Sequence, residues 1–255
     1  MEYKKLKNYI FGKNAVLETL LKNPKRINKI YISKNIGLDN RLKKIKELAL
    51  NNSVIIQFTN LNKYLEIIKE ETGEEVNLQG VVASVSPVEY IDLDTFLNRA
   101  QKDKFKKLVI LDGVSDPHNF GAIIRTATAA GYDGILVGNH RACPVTPVVE
   151  KTSAGAVNHI PIIKANSLSG AIDYLKNNDW WIIALDMNNS DNYFDVDYKN
   201  MNFALVLGAE GDGISKTLLN KADFKIKVPT HFESLNVSAC AAVVIYETIR
   251  QTEYT

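Results

Sequence analysis

Cysteine is scarce in this chain: only Cys143 and Cys240 occur in 255 residues, far apart and in no CxxC pair. That scarcity excludes a disulfide framework and a cysteine-based zinc ribbon. Both thiols are expected to be buried small apolar side chains in a cytoplasmic protein. No apolar run reaches the ~20 residues of a membrane-spanning helix. The opening MEYKKLKNYIFGKNAVLETL has no apolar core of a secretory signal. A GxxxxGK[ST] phosphate loop is missing, and so is the dinucleotide order GxGxxG. Nucleotidase and nicotinamide chemistry are therefore disfavoured. His118, His140, His159 and His231 have no metal-like spacing, so no metal site is expected.

What is present is a core-forming composition, with 45% apolar residues. The net charge of +2 conceals an asymmetry. Residues 1–50 hold 13 Lys and Arg against 4 Asp and Glu, a net of +9. Residues 51–104 net −4 and residues 105–255 net −3. Such a basic N-terminal stretch suits contact with a phosphate backbone, and equally a solvated Lys-rich surface.

Two α/β patterns follow one another. In the first, 12–21 and 40–52 have helical periodicity, with Leu42, Ile45 and Leu48 or Ala49 on one face. The segments 27–33, 54–58 and 80–85 read as strands, and 61–72 as a helix stopped by Gly73. Residues 86–104 turn polar, with Pro87, and read as a linker carrying a short helix. The division expected is therefore 1–86, a linker at 87–104, and a second domain at 105–255. In that domain, strands are expected at 106–114, 134–138, 162–163, 180–186, 203–210 and 224–230. Helices are expected at 120–131, 167–178 and 234–251, with the start of 146–160 helical as well. Asn119 is expected to cap the helix at 120, and Gly131 to end it. The apolar run 203–210 suits a strand buried on both faces of a parallel sheet.

Ligands of a parallel α/β sheet sit outside the carboxyl ends of its strands. Three polar segments follow strands there: DPHNFGAIIRTATAAG (116–131), LVLGAEGDGIS (205–215) and VPTHFESLNVSACAAVVIYE (228–247). Gly208, Gly211 and Gly213 permit a tight turn or the close approach of a ligand to the backbone. Glu210, between them, is a helix-capping group or a site residue. Arg125 sits in the small, apolar stretch IIRTATAA, where it either faces solvent or needs an anionic or polar partner. Ser234 and Asn236 are each candidates to cap the last helix, which does not exclude ligand contact.

At these residues the chain resembles the SpoU family of RNA ribose 2′-O-methyltransferases, of the SPOUT superfamily. The family's first motif has an Asn, a Gly two residues on and an Arg six after the Asn. Asn119, Gly121 and Arg125 match it. The second, a strand ending in GxExxG, is matched by LVLGAEGDG, and the third by VPTHFESLNVS. The N-terminal YIFGKNAVLETL and QGVVASV resemble the substrate-binding domain of the branch that modifies a guanosine in 23S ribosomal RNA. Here Leu78 stands where a His is often seen, and the loop between Pro229 and Ser234 is shorter than in many relatives.

The resemblance implies a parallel sheet with a C-terminal trefoil knot, a homodimer and S-adenosylmethionine as cofactor. It implies cofactor contacts at Leu185, Gly208, Val228, Leu235 and Asn236, and a catalytic set of Arg125, Asn119, Glu210, Ser234 and Asn236. Its substrate is RNA, with 23S ribosomal RNA ahead of transfer RNA. A non-catalytic RNA-binding protein of the same fold is the alternative from another class. A nucleotide-dependent dehydrogenase lacks its fingerprint.

Overall fold

A computed structural model describes residues 9–73, 75–99, 105–188, 190–231 and 235–254. The chain divides into two units: one runs to Val88 and takes in Val145–His159, the other comprises Glu89–Pro144 and the chain from Ile160 onward.

The first unit runs β1 (Tyr9–Phe11), α1 (Lys13–Lys22), β2 (Ile27–Ser33), α2 (Asn40–Asn51), β3 (Ile56–Thr59), α3 (Asn62–Thr72) and β4 (Val81–Val85). Among the described residues its sheet has the order β1-β4-β2-β3. Strand β4 is antiparallel to both neighbours, and β2 and β3 are parallel. Strand alternation gives the sheet two apolar faces. On one, Val16, Leu20, Leu42, Ile45 and Ala49 pack on Ile10, Ile30, Ile32, Val81 and Ala83. On the other, Leu61 and Ile68 pack on Tyr9, Phe11 and Val82. Each such buried aliphatic contributes about 1.5–3 kcal/mol. The Asp39 carboxylate starts α2 by accepting from Leu42 N at 2.8 Å.

The second unit begins with β5 (Tyr90–Ile91), α4 (Leu93–Arg99), β6 (Lys107–Asp112), α5 (Pro117–Ala129) and β7 (Gly134–Gly138). The chain next contributes 145–159, carrying α6 (Pro147–Thr152), to the first unit. There Arg26 fixes it. Its guanidinium meets Glu150 Oε1 at 2.5 Å and donates to Asn158 Oδ1 at 2.6 Å and to the Ser86 carbonyl at 3.0 Å. The second unit resumes with β8 (Ile162–Ala165), α7 (Leu168–Lys176), β9 (Trp180–Leu185), β10 (Asp191–Asn192), β11 (Asn202–Gly208), α8 (Lys216–Leu219), β12 (Phe224–Lys227) and α9 (Val237–Glu253). Among the described residues its sheet has eight strands, ordered β10-β12-β9-β11-β6-β7-β8-β5, and every pairing there is parallel.

Three local expectations change. The span 87–104, read from its polarity as a linker, supplies the edge strand β5, and Phe96 of α4 packs into the core of the second unit. Residues 100–104 lie outside the described residues. Helix α5 starts at Pro117, and its cap is Asp116, which accepts from Asn119 N at 2.8 Å. Proline is well suited to the first helical position because its missing N–H would be unbonded there anyway. Asn119 therefore lies inside the first turn, with its side chain released for another partner. The last helix spans Val237–Glu253 and is capped by Asn236, one of the two expected caps, while Ser234 lies outside the described residues.

Candidate active site

The parallel register lines up the carboxyl ends of the central strands. Gly208 of β11 lies opposite Asp112 of β6, and Val206 opposite Ala184, one residue before Leu185. Beyond these ends opens a cleft of about 810 Å³. Residues 185–188, 208–214 and 235–237 line much of it, together with Lys216, Leu219 and Cys240.

The loop after β11 is shaped by its glycines. Ala209 and Gly213 exchange backbone hydrogen bonds of 3.1 and 3.0 Å, closing a tight turn. Gly211 (φ 83°) and Gly213 (φ 65°) occupy the left-handed region that side chains disfavour. At Gly208 the constraint is space: a Cβ would stand 2.2 Å from the carbonyl carbon of Gly213. Ser215 N donates to Asp112 Oδ2 at 2.8 Å, holding the far end of the loop to β6.

This loop presents Glu210, the point where the three sequence segments meet. Asn119 Nδ2 donates to Glu210 Oε1 at 2.9 Å, and Asn236 Nδ2 donates to the same oxygen. Asn236 is itself oriented, because its Oδ1 accepts from Ser238 N at 2.8 Å and Ser238 Oγ at 2.6 Å. Asn119 is buried, while Glu210 and Asn236 are exposed. Two amides on one carboxylate oxygen fix which way each amide faces.

The expected site residues fall into four groups. Asn119, Glu210 and Asn236 are joined by hydrogen bonds. Leu185, Gly208, Leu235 and Asn236 line the cleft, Leu235 being 44% exposed, whereas Val228 is buried and does not line it. Ser234 lies outside the described residues. Arg125 is exposed on α5 and has no hydrogen bond or ion pair among the described residues. It is six residues beyond Asn119, so the two project from different faces of the helix.

Sequence reasoning missed Asp116, Asp112 and Ser215, which build the frame. An Asp immediately before a Pro at a strand-to-helix junction was the signal for the first. Asp186, Asp212 and Lys216 also line the cleft. With Glu210 they give three carboxylates against one ammonium. Of the two thiols, Cys240 borders the cleft and burial pushes it above its usual pKa, which disfavours a thiolate nucleophile. Among the described residues no group of His, Cys, Asp and Glu is arranged to hold a metal ion, and no helix is long and apolar enough to cross a membrane.

Comparison with known proteins adds three findings. Residues 106–246 match the model of the SpoU rRNA Methylase family, and residues 9–91 match a model described as RNA 2′-O ribose methyltransferase substrate binding. A Staphylococcus saprophyticus protein assigned to the TrmH family of tRNA/rRNA methyltransferases is 36% identical over 248 residues, spanning 96% of each chain. Two solved structures share the fold. One is the SpoU methyltransferase AviRb from Streptomyces viridochromogenes in complex with AdoMet, at 22% identity and TM-score 0.76, covering 95% of this chain and 89% of that one. The other is an AdoMet-bound rRNA methyltransferase from Sinorhizobium meliloti, at 23% identity and TM-score 0.74, covering 95% and 87%.

Proposed function

From the premise that the chain belongs to the SpoU rRNA methylase family, we propose that it transfers a methyl group from S-adenosylmethionine to a ribose 2′-hydroxyl of RNA, at a guanosine of 23S ribosomal RNA. The observation that carries this reading is the convergence of Asn119 and Asn236 on Glu210 Oε1 beside the cleft.

The cleft fits the cofactor. Its lining combines polar residues with the apolar side chains of Leu185, Ile214, Leu219 and Leu235, a mixture that suits a purine and a ribose. Three carboxylates against one Lys suit a ligand whose sulfonium leaves it with net positive charge. Gly208, where a Cβ has no room, keeps the floor of the turn tight. The bound cofactor supplies a methyl group already activated by sulfonium.

The chain's own task is to hold the ribose hydroxyl in line and to stabilise charge on its oxygen. Positioning alone can supply several kcal/mol of barrier reduction. Glu210 orients the amides of Asn119 and Asn236, which in turn hold the ribose or the activating group. Arg125 offers the fixed N–H donors of its guanidinium, which suit it to stabilise the developing alkoxide electrostatically. A substrate phosphate helps to take the proton. Arg125 must therefore meet the site when RNA is bound or in an assembled homodimer. The exposed stripe Ala239, Val243 and Tyr246 on α9 supports such a dimer. Leu185, Gly208, Leu235 and Asn236, which line the cleft, remain the expected cofactor contacts, Ser234 completes the catalytic set, and the C-terminal knot belongs to the same reading. The first unit, built from 1–88 and 145–159, serves as the RNA-binding domain and the second, built from 89–144 and 160–255, as the catalytic domain, in the cytoplasm.

The similarity to a relative assigned to both tRNA and rRNA methylation keeps transfer RNA as the second substrate. The test is methyl transfer from labelled S-adenosylmethionine to unmodified ribosomal and transfer RNAs, with ribose-methylation mapping. Label at one large-subunit guanosine supports the full reading. Label only on transfer RNA overturns the substrate, and label on neither overturns the activity.

A further inference from the structure

The two helices that cover the sheet of the first unit differ in charge. In sequence α3 is near balance, with Lys63 and Lys69 against Glu66, Glu70 and Glu71, and Lys69 is already paired with Glu75 at 2.9 Å. On α2, Arg41, Lys43, Lys44 and Lys46 stand against the single Glu47, and none of the four is in a salt bridge among the described residues.

Beside this unneutralised face lies an open sheet edge. Among the described residues β3 pairs only with β2 and has no strand on its other side. Ile56 packs toward the α2 side of the sheet. Phe58, two residues on, projects to the same side by strand alternation. It reaches past the rim of the core and is 50% exposed, with Ile55 at 63% and Leu50 at 80%. Lys46 Nζ stands 5.0 Å from the centroid of the Phe58 ring. Lys43, Lys46 and Leu50 follow one another along one stripe of α2. A half-exposed aromatic ring with an ammonium against it, at the end of a row of unpaired cations, is the combination that takes an unpaired base and its phosphates.

We infer that the α2–β3 edge, centred on Phe58 and Lys46, is a docking surface for an unpaired stretch of RNA. One base stacks on the free part of the Phe58 ring, and Lys46 and Lys43 meet the adjoining phosphates. The proposed function enters only in naming RNA as the partner. Net charge decides between RNA and an apolar protein segment, which would leave the excess of four cations over Glu47 uncompensated.

The test uses the full chain and an unmodified large-subunit ribosomal RNA transcript containing 4-thiouridine. Crosslinked peptides are mapped, affinity is measured across a salt series, and cofactor binding and oligomeric state are recorded for each variant. The crosslink is expected in the peptide containing Phe58. Phe58→Ala is expected to weaken binding about tenfold and Phe58→Tyr to restore it. Lys46→Gln is expected to lower the slope of log affinity against log salt by about one. Unchanged affinity in Phe58→Ala, crosslinks confined to other segments, or a change in oligomeric state without a change in RNA affinity would each overturn the surface. RNA held at Phe58 with no methyl transferred would sink the proposed function and leave the surface standing. Methyl transfer that ignores Phe58 would do the reverse.

Discussion

The two units of this chain are both α/β, yet they carry their chemistry in different ways. In the second, the eight strands among the described residues are parallel, so their carboxyl ends gather at one edge. Asp112, Leu185 and Gly208 come from three distant stretches and arrive side by side. In the first, β4 runs against both its neighbours. Strand ends there are split between two edges, and no common mouth forms. Its distinguishing feature is lateral, a charged helix on one face and an open strand at one side. Parallel topology concentrates a reactive site, whereas mixed topology leaves a surface.

The sharpest way to break this contrast is to remove Arg125. Arg125→Ala should lower kcat by about 100- to 1000-fold while leaving S-adenosylmethionine affinity nearly unchanged by calorimetry. Retained turnover would remove Arg125 from the catalytic set. Next comes Glu210→Ala, which frees both amides at once. A loss of about tenfold or more in kcat is expected, with normal thermal unfolding, because Glu210 is exposed.

Glycines separate the units again. Gly208→Ala should destabilise the second unit by about 3 kcal/mol through overpacking, since its Cβ would meet the backbone of Gly213. Gly73→Ala in the first unit meets nothing within 4 Å and keeps only the cost of its φ of 71°. About 1 kcal/mol is expected there, and urea unfolding of the two variants measures the difference.

The smallest effects are those of pH on two glutamates. In the first unit, burial raises Glu150 above its usual range despite Arg26 beside it. The folded state then holds the proton more tightly than the unfolded one, and this contribution is lost as pH rises through the raised value. In the second unit, the Arg250 guanidinium and then the Gln251 amide hold Glu247 low. Its contribution is present above the ordinary value of 4.5 and is lost as pH falls through the lowered one. Glu150→Gln should flatten the first trend and Glu247→Gln the second, read from urea midpoints between pH 3 and 9. The same trend in both variants would mean that burial and pairing do not differ between the units as described.

Much of the second unit was legible in its sequence because parallel buried strands are written as continuous apolar runs, such as 203–208, followed by polar turns. Those turns marked Asn119, Glu210 and Asn236. Their meeting on one carboxylate oxygen was not readable, since it depends on strand order across 117 residues of chain. Two-residue strands such as Tyr90–Ile91 and Asp191–Asn192 have no period to detect. The capture of 145–159 by the first unit rests on scattered contacts of Arg26 with Glu150, Thr19 with Asn158 and Glu18 with His159, which form no pattern in the sequence. The N-cap was misplaced by three residues because Asn119 is itself a good capping type, and only the Pro at 117 discriminates.

One measurement bears most directly on the central claim: ribose-methylation mapping of unmodified 23S ribosomal RNA after incubation with labelled S-adenosylmethionine and the full chain, with Arg125→Ala alongside. The account predicts label on one ribose 2′-oxygen, absent with Arg125→Ala. Label on a base, or no label from a chain that binds the cofactor, would contradict it.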